Sequence, residues 1–201
     1  MKLAFVTGGS RGLGKEVASA LAKQGHRVVI IGKDQARAST TATGLGCEFE
    51  CADLEDQTQA RSLAETMLAK YGVPQIVVLA HGVMSDKMAK TLRTNDQEWN
   101  RVLNINLNST FTLVNAFGSK MAEARDGRIV IFSACLGRMS GPGNAGGLAP
   151  YRISKAGVNA LVRNLAHETG HGSRGFLIDA CLLYTSPSPR DLSTSRMPSS
   201  A

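Results

Sequence analysis

The sequence predicts an α/β fold with a doubly wound parallel sheet. Three observations predict it. Short β-branched runs alternate with longer helical stretches. Several runs are apolar nearly throughout, as in Arg27–Ile31, which is the pattern of strands buried on both faces. The first run is followed directly by a glycine-rich turn that opens a helix.

The elements follow in order. Lys2–Val6 reads as the first strand and Leu13–Gln24 as a helix stopped by Gly25. Arg27–Ile31 is the second strand, followed by a helix over Asp34–Ala42 and a third strand over Cys47–Cys51. The periodicity predicts a helix over Asp56–Tyr71, ended by Gly72, then a strand over Gln75–Ala80. One long helix is predicted over Asp96–Ala124, then a strand over Arg128–Ser133 and a helix from Pro150 to Thr169. Phe176–Ala180 is the last predicted strand, left as an exposed edge of an incomplete sheet. Right-handed crossovers between parallel strands place helices on both faces.

The totals exclude several classes. A chain of 201 residues suits one domain with one sizeable core. The net charge of +7 is spread along the chain without a basic run or stripe, which argues against a nucleic-acid partner and suits a ligand carrying phosphates. No segment approaches the roughly 18 apolar residues of a membrane span. No secretory signal pattern precedes the first strand. Cys47, Cys51, Cys135 and Cys181 lack metal-ligand spacing, so no metal site is expected. Cys47 and Cys51 fall on one face of one predicted strand, too far apart to bridge. Reduced thiols and a cytoplasmic location are the expectation.

The chemistry begins at Thr7-Gly8-Gly9-Ser10-Arg11-Gly12-Leu13-Gly14. A turn between strand and helix needs backbone angles that a Cβ disfavours. A pyrophosphate must also approach bare N–H groups at the helix N-terminus. A tight structural turn would use glycines too, so the strand–turn–helix context carries the argument. Farther on, Asn106 sits inside the long predicted helix, where Asn is a mediocre helix former. Tyr151 and Lys155 are four residues apart, on one face of the last predicted helix.

With these motifs in this order, residues 2–180 resemble the short-chain dehydrogenase/reductase family, most closely its carbonyl-reductase-like branch through Gly146–Lys155. The resemblance implies a Rossmann-type fold and an NADPH-dependent oxidoreductase that reduces a carbonyl to an alcohol, or the reverse. It implies that Tyr151 is the general acid or base. Lys155 holds the nicotinamide ribose, and Asn106 joins a proton relay. A neighbouring ammonium, together with the positive nicotinamide ring of the oxidised cofactor, is expected to lower the Tyr151 pKa from its usual value of about 10. Cofactor contacts are implied for Gly8, Ser10, Arg11, Gly12, Leu13 and Gly14, for Lys33, Asp53 and Leu54, for Ala80 and Gly82, and for Tyr151 and Lys155. Gly32 stands where NAD enzymes of this fold carry an acid, and Arg11 and Lys33 match residues that hold a 2′-phosphate, so NADP is the implied cofactor. The partner is a small carbonyl or alcohol substrate, and the full-length form is expected to be a homo-oligomer.

Two departures stand out. Leu79-Ala80-His81-Gly82 replaces the family's NNAG, which removes both Asn side chains from the sheet-to-helix support. His81 reads as a packing residue or as a catalytic one. Alignment on Gly137 puts Ala134 where the family carries the serine that hydrogen-bonds the substrate oxygen. Ser133 precedes it, and a strand period of two turns its side chain to the opposite face. A bulge would bring Ser133 or Ser140 inward, so Ser133 stands as the candidate catalytic serine. A nucleotide-binding domain with weak or no turnover is the alternative function.

The native domain is expected over residues 1–180. The composition changes after Ala180, and residues 181–201 are expected to be a non-native tail, of which Tyr184–Ala201 is rich in Ser, Pro and Thr and has no apolar period. Cys181–Asp191 and Ser195–Ala201 resemble two ends of a translated transposase-type sequencing adapter in one frame, with Leu192–Thr194 as its variable index. Residues Leu182–Ala201 are therefore expected to pack poorly and to supply no functional residue. The family's substrate-binding loop, last helix and last strand are expected beyond Ala180, and a fragment without function is the third reading.

Overall fold

The computed structural model describes residues 1–85, 90–139 and 146–183. Six parallel strands form one sheet in the order β3-β2-β1-β4-β5-β6. They are β1 (Leu3–Thr7), β2 (Arg27–Gly32), β3 (Glu48–Cys51), β4 (Ile76–Leu79), β5 (Gly127–Ala134) and β6 (Phe176–Leu183). The helices between them are α1 (Gly12–Lys23), α2 (Gln35–Leu45), α3 (Gln57–Tyr71), α4 (Asp96–Leu103), α5 (Ser109–Ala124) and α6 (Ala149–Glu168). The strand order reverses between β1 and β4. Chains leaving their C-terminal ends diverge to opposite sides, which opens a crevice there.

Alternate residues of each strand enter two cores. Phe5, Val29, Ile129 and Ile131 pack with α3, α5 and α6 on one face. Ala4, Val6, Val28, Ile30 and Val78 pack on the other face with Ala18 of α1 and Ala42 of α2. Phe5 lies edge-on to both Phe117 and Tyr71, with centroids 5.3 and 6.1 Å apart. The outer edge is charged. Glu48 and Glu50 of β3 pair with Arg27 and Lys70, which discourages further strand pairing.

Three helices begin on a side-chain cap. Asp34 accepts from the Arg37 N–H, Asp56 from Thr58 and Gln59, and Asn95 from Glu98. Helix α1 begins at Arg11 with no side-chain cap and no acid in its first turn. Its N–H groups are left for something else.

Three expectations are corrected here. The single helix over Asp96–Ala124 is broken by a π turn over Asn104–Asn108. The hydroxyls of Ser109 and Thr110 donate to the carbonyls of Ile105 and Asn106, four residues back, and compete with the α-helical ladder. Cys47 lies before β3, which starts at Glu48, and all four cysteines are free. Strand β6 runs to Leu183, with Leu182 and Leu183 in register with Ser133 and Ala134. Parallel pairing asks only for backbone groups and tolerant side chains, and Cys-Leu-Leu suits it. The remainder of the tail, 184–201, and Ser140 lie outside the described residues. No helix among the described residues is long and apolar enough to cross a membrane, and none of them form a metal-binding cluster of three or more His, Cys, Asp or Glu.

Candidate active site

A cleft of about 870 Å³ opens along the C-terminal ends of the strands. The glycine turn after β1 forms one wall. Gly8 and Gly12 have φ of +66° and +54°, which L side chains seldom adopt. A Cβ on Gly14 would collide with the Gly8 carbonyl oxygen, so this glycine lets α1 pack against the turn. A Cβ on Gly12 would meet nothing within 4 Å, so at Gly12 it is the backbone angle that calls for glycine. Ser10 is buried, and its carbonyl accepts from Thr41 of α2. Leu13 is exposed at the mouth. Uncapped N–H groups, a bare glycine surface and an open cleft fit a pyrophosphate.

At the adenosine end, every expected residue lines the cleft: Arg11, Lys33, Asp53 and Leu54. Their charges are not arranged as expected. Lys33 Nζ is 2.5 Å from Asp53 Oδ2. This contact raises the Lys33 pKa, the hydrogen bond being the main cause. A residue read as free for a 2′-phosphate thus already has a carboxylate partner. Arg37, which sequence reasoning missed, also lines the cleft and pairs with Asp34 at 3.3 Å. Its signal was available, because an Asp cap places the third residue of its helix beside it. Arg11 is exposed and makes no ion pair among the described residues.

The other end holds the chemistry-bearing side chains. Lys155 is buried, and its Nζ donates to the Phe132 carbonyl at 2.8 Å. Burial lowers its pKa to about 8, so it is an ammonium below that pH. Nζ lies 6.0 Å from the centroid of the Tyr151 ring. Tyr151 lines the same cleft. Burial pushes its pKa up, with Cys135 adding to the effect. The expected lowering is therefore not produced by Lys155 at this separation. Gly137 carries this arrangement, since a Cβ there would meet the Lys155 backbone carbonyl carbon at 2.6 Å.

Asn106 sits in the π turn, buried, and its amide is fully used. Oδ1 accepts from the Val83 N–H at 2.8 Å, while Nδ2 donates to the Val83 carbonyl at 2.9 Å and to Ser154 Oγ at 3.0 Å. It clamps the segment after β4 to α6. Gly82 is part of the same clamp. A Cβ there would lie 3.3 Å from Asn106 Oδ1 and 3.4 Å from Lys155 Nζ. Ala80 lines the cleft beside it.

His81 supplies the support that the missing Asn residues put in doubt. Its Nδ1 is 2.6 Å from Thr7 Oγ1 at the end of β1, and its Nε2 is 2.9 Å from Ser109 Oγ on α5. Ser109 already donates to Ile105, so it accepts here, and the ring proton sits on Nε2. Nδ1 then accepts from Thr7. Burial, with the Lys155 charge nearby, lowers the His81 pKa to about 3. His81 is a neutral crossbar between strand and helix, with both ring nitrogens occupied.

Ser133, the candidate catalytic serine, lines the cleft, and its hydroxyl is already engaged. Its hydroxyl donates to Asn159 Oδ1 at 2.7 Å and lies 3.4 Å from the Lys155 carbonyl oxygen. These bonds tie the end of β5 to α6. Ala134 follows with no polar group. Leu183, from the stretch expected to pack poorly and to supply no functional residue, lines the cleft.

Residues 2–174 match the family described as short chain dehydrogenase. The chain is 33% identical to the 3-oxoacyl-(acyl-carrier-protein) reductase FabG of Escherichia coli (strain K12) over 180 residues, covering 89% of this chain and 70% of that protein. A metagenomic short-chain oxidoreductase solved in complex with NADP superposes with a TM-score of 0.81 at 26% identity, covering 93% of this chain and 84% of that one. A structure described as ribose-5-phosphate isomerase from Brucella melitensis 16M gives 0.80 at 30% identity, covering 89% of this chain and 66% of that one. Names vary on this fold, so the reaction must be argued from the site. With its glycine turn, Tyr151 and Lys155 in one cleft and most of its length matched, the chain belongs to the short-chain dehydrogenase family and is an oxidoreductase of that kind.

Proposed function

We propose that this protein binds NADP(H) and interconverts a carbonyl and an alcohol, with Tyr151 as the proton donor. One observation carries the reading. The uncapped glycine turn, Tyr151 and the buried Lys155, whose Nζ lies 6.0 Å from the Tyr151 ring, line a single cleft. Gly8, Ser10, Gly12, Leu13 and Gly14 would hold the pyrophosphate. Arg11, Lys33 and Arg37 would hold the 2′-phosphate, and Asp53 with Leu54 the adenine. Ala80, Gly82 and Lys155 would hold the nicotinamide half.

The bound cofactor supplies the hydride. Tyr151 gives its phenolic proton to the substrate oxygen in reduction and takes it back in oxidation. Burial keeps that proton on the phenol in the free protein, which suits the acid role. Lys155, charged below about pH 8, stabilises the phenolate that the transfer leaves. Asn106 positions the Val83 segment that walls the site, and Ser133 positions α6. The 3-oxoacyl substrates in the names of the FabG relatives make a β-keto thioester the first substrate class to test.

A second reading, a cofactor-binding domain with weak turnover, is favoured by Ala134 and by the engagement of the Ser133 hydroxyl with Asn159. The same experiment separates the two. NADPH and NADH are titrated into the full chain at fixed salt, then acetoacetyl thioester and simple ketones are added. NADPH should bind at least about 10-fold tighter, a difference of about 1.4 kcal/mol. Lys33→Asp should narrow the gap, and Tyr151→Phe should lower turnover by at least about 100-fold with binding unchanged. Equal affinities refute the 2′-phosphate assignment. Turnover that survives Tyr151→Phe refutes the mechanism, and NADPH binding with no turnover favours the second reading.

A further inference from the structure

Helix α6 ends far from the cleft in a turn that bends one histidine back over another. The Gly170 N–H donates to the His167 carbonyl at 3.1 Å and the His171 N–H to the Ala166 carbonyl at 2.8 Å, which closes the helix C-terminus. Gly170 and Gly172 both have positive φ, and His171 between them has φ +51°. That conformation is uncommon for a residue with a side chain. Its effect is to lay the His171 ring against His167, with centroids 4.5 Å apart and rings at 78°. His171 Nε2 then stands 3.2 Å from His167 Nδ1. Both residues are exposed.

We propose that His167 and His171 form a two-histidine chelate for a divalent transition metal ion of the nickel, copper and zinc class. Two imidazole nitrogens bound about 2.05 Å from one ion, at about 90–110°, lie about 2.9–3.4 Å apart. The observed 3.2 Å falls within that span before any ion arrives. In the metal-free protein one ring proton bridges the two nitrogens. On binding, that proton moves to the other nitrogen of its own ring, and both lone pairs face the ion with no change in ring charge. Imidazole selects this class of metal over magnesium or calcium. The helix C-terminus favours a cation, since its last carbonyls carry partial negative charge. No third His, Cys, Asp or Glu joins the pair among the described residues, so water completes the shell. The inference does not depend on the proposed reductase activity.

The test is calorimetric titration of Ni²⁺ and Zn²⁺ into the untagged full chain in a chelator-free buffer. One saturable equivalent is expected, and Mg²⁺ in excess should not displace it. His167→Ala and His171→Ala should each weaken binding at least about tenfold, and the double variant little further, because half a chelate is not a site. His167→Gln, which keeps a polar helical side chain without an imidazole, must lose the site as well. Circular dichroism melts of each variant check that the fold is intact. Absence of saturable binding overturns the proposal, as does full affinity in any single variant.

Discussion

Lowering the pH should weaken this fold through His81, and the size of the effect follows from the crossbar it forms. In the folded chain the ring is neutral and its pKa is about 3, against an ordinary 6.5 in the unfolded chain. Between those values the unfolded chain takes up a proton that the folded chain excludes. Stability from this group is complete above 6.5 and falls as the pH drops toward 3. The slope is about 1.4 kcal/mol per pH unit, so falling from 6.5 to 5 removes about 2 kcal/mol. That is a large part of an ordinary domain's margin of about 5–15 kcal/mol. The carboxylates Glu48, Glu50 and Asp56, whose pKa values are lowered by their partners, lose their contributions only at more acidic pH. The window from 6.5 to 5 therefore isolates the histidine. Urea unfolding followed by circular dichroism at closely spaced pH values gives the slope. His81→Ala should cost about 2–4 kcal/mol at pH 7.5, for two hydrogen bonds and a small cavity. It should also abolish most of the slope between 6.5 and 5. If the variant keeps the wild-type slope, the neutral His81 ring is not its source and the reasoning fails.

Two further predictions concern the backbone and the serine position. Gly137→Ala should cost about 1–3 kcal/mol, since its Cβ would press on the Lys155 backbone, and it should lower turnover more than cofactor affinity; denaturant melts and cofactor titration on one preparation read both. Ala134→Ser should raise turnover at least about 10-fold by restoring a donor to the developing oxyanion. Ser133→Ala should instead cost about 1–3 kcal/mol of stability, because Asn159 Oδ1 loses a buried donor, with turnover of the folded fraction retained. If Ser133→Ala abolishes turnover while Ala134→Ser changes nothing, the roles of the two residues are reversed.

Much of the fold was legible because it rests on local signals. Apolar runs such as Arg27–Ile31 announce strands buried on both faces, and Gly25 and Gly72 mark where helices stop. The glycine turn was legible because steric exclusion names its residues, and Gly8, Gly12 and Gly14 each meet the demand expected. The π turn was not, because it arises from the hydroxyls of Ser109 and Thr110 competing for carbonyls within a sequence of ordinary helical period. The Lys33–Asp53 pair joins residues on neighbouring strand ends, and only strand order brings them together. His81 was ambiguous for a similar reason. Its meaning lies in partners 74 residues upstream and 28 downstream.

The π turn has a consequence for how this chain tolerates changes of length. Such a turn is equivalent to one residue added to an α-helix, and each residue turns the helix by about 100°. Deleting one residue within Asn104–Asn108 would give the two flanking helices a continuous α-helical path. The flanking helices would keep nearly their present phase, because the π turn already takes up the extra residue, and the change would fall on the residues inside the turn. Asn106 would leave Val83 and Ser154, while Val102, fully buried in the flanking helix, would keep its packing. At this point the spacing of the chain, and not only the identity of its residues, carries the instruction for the site.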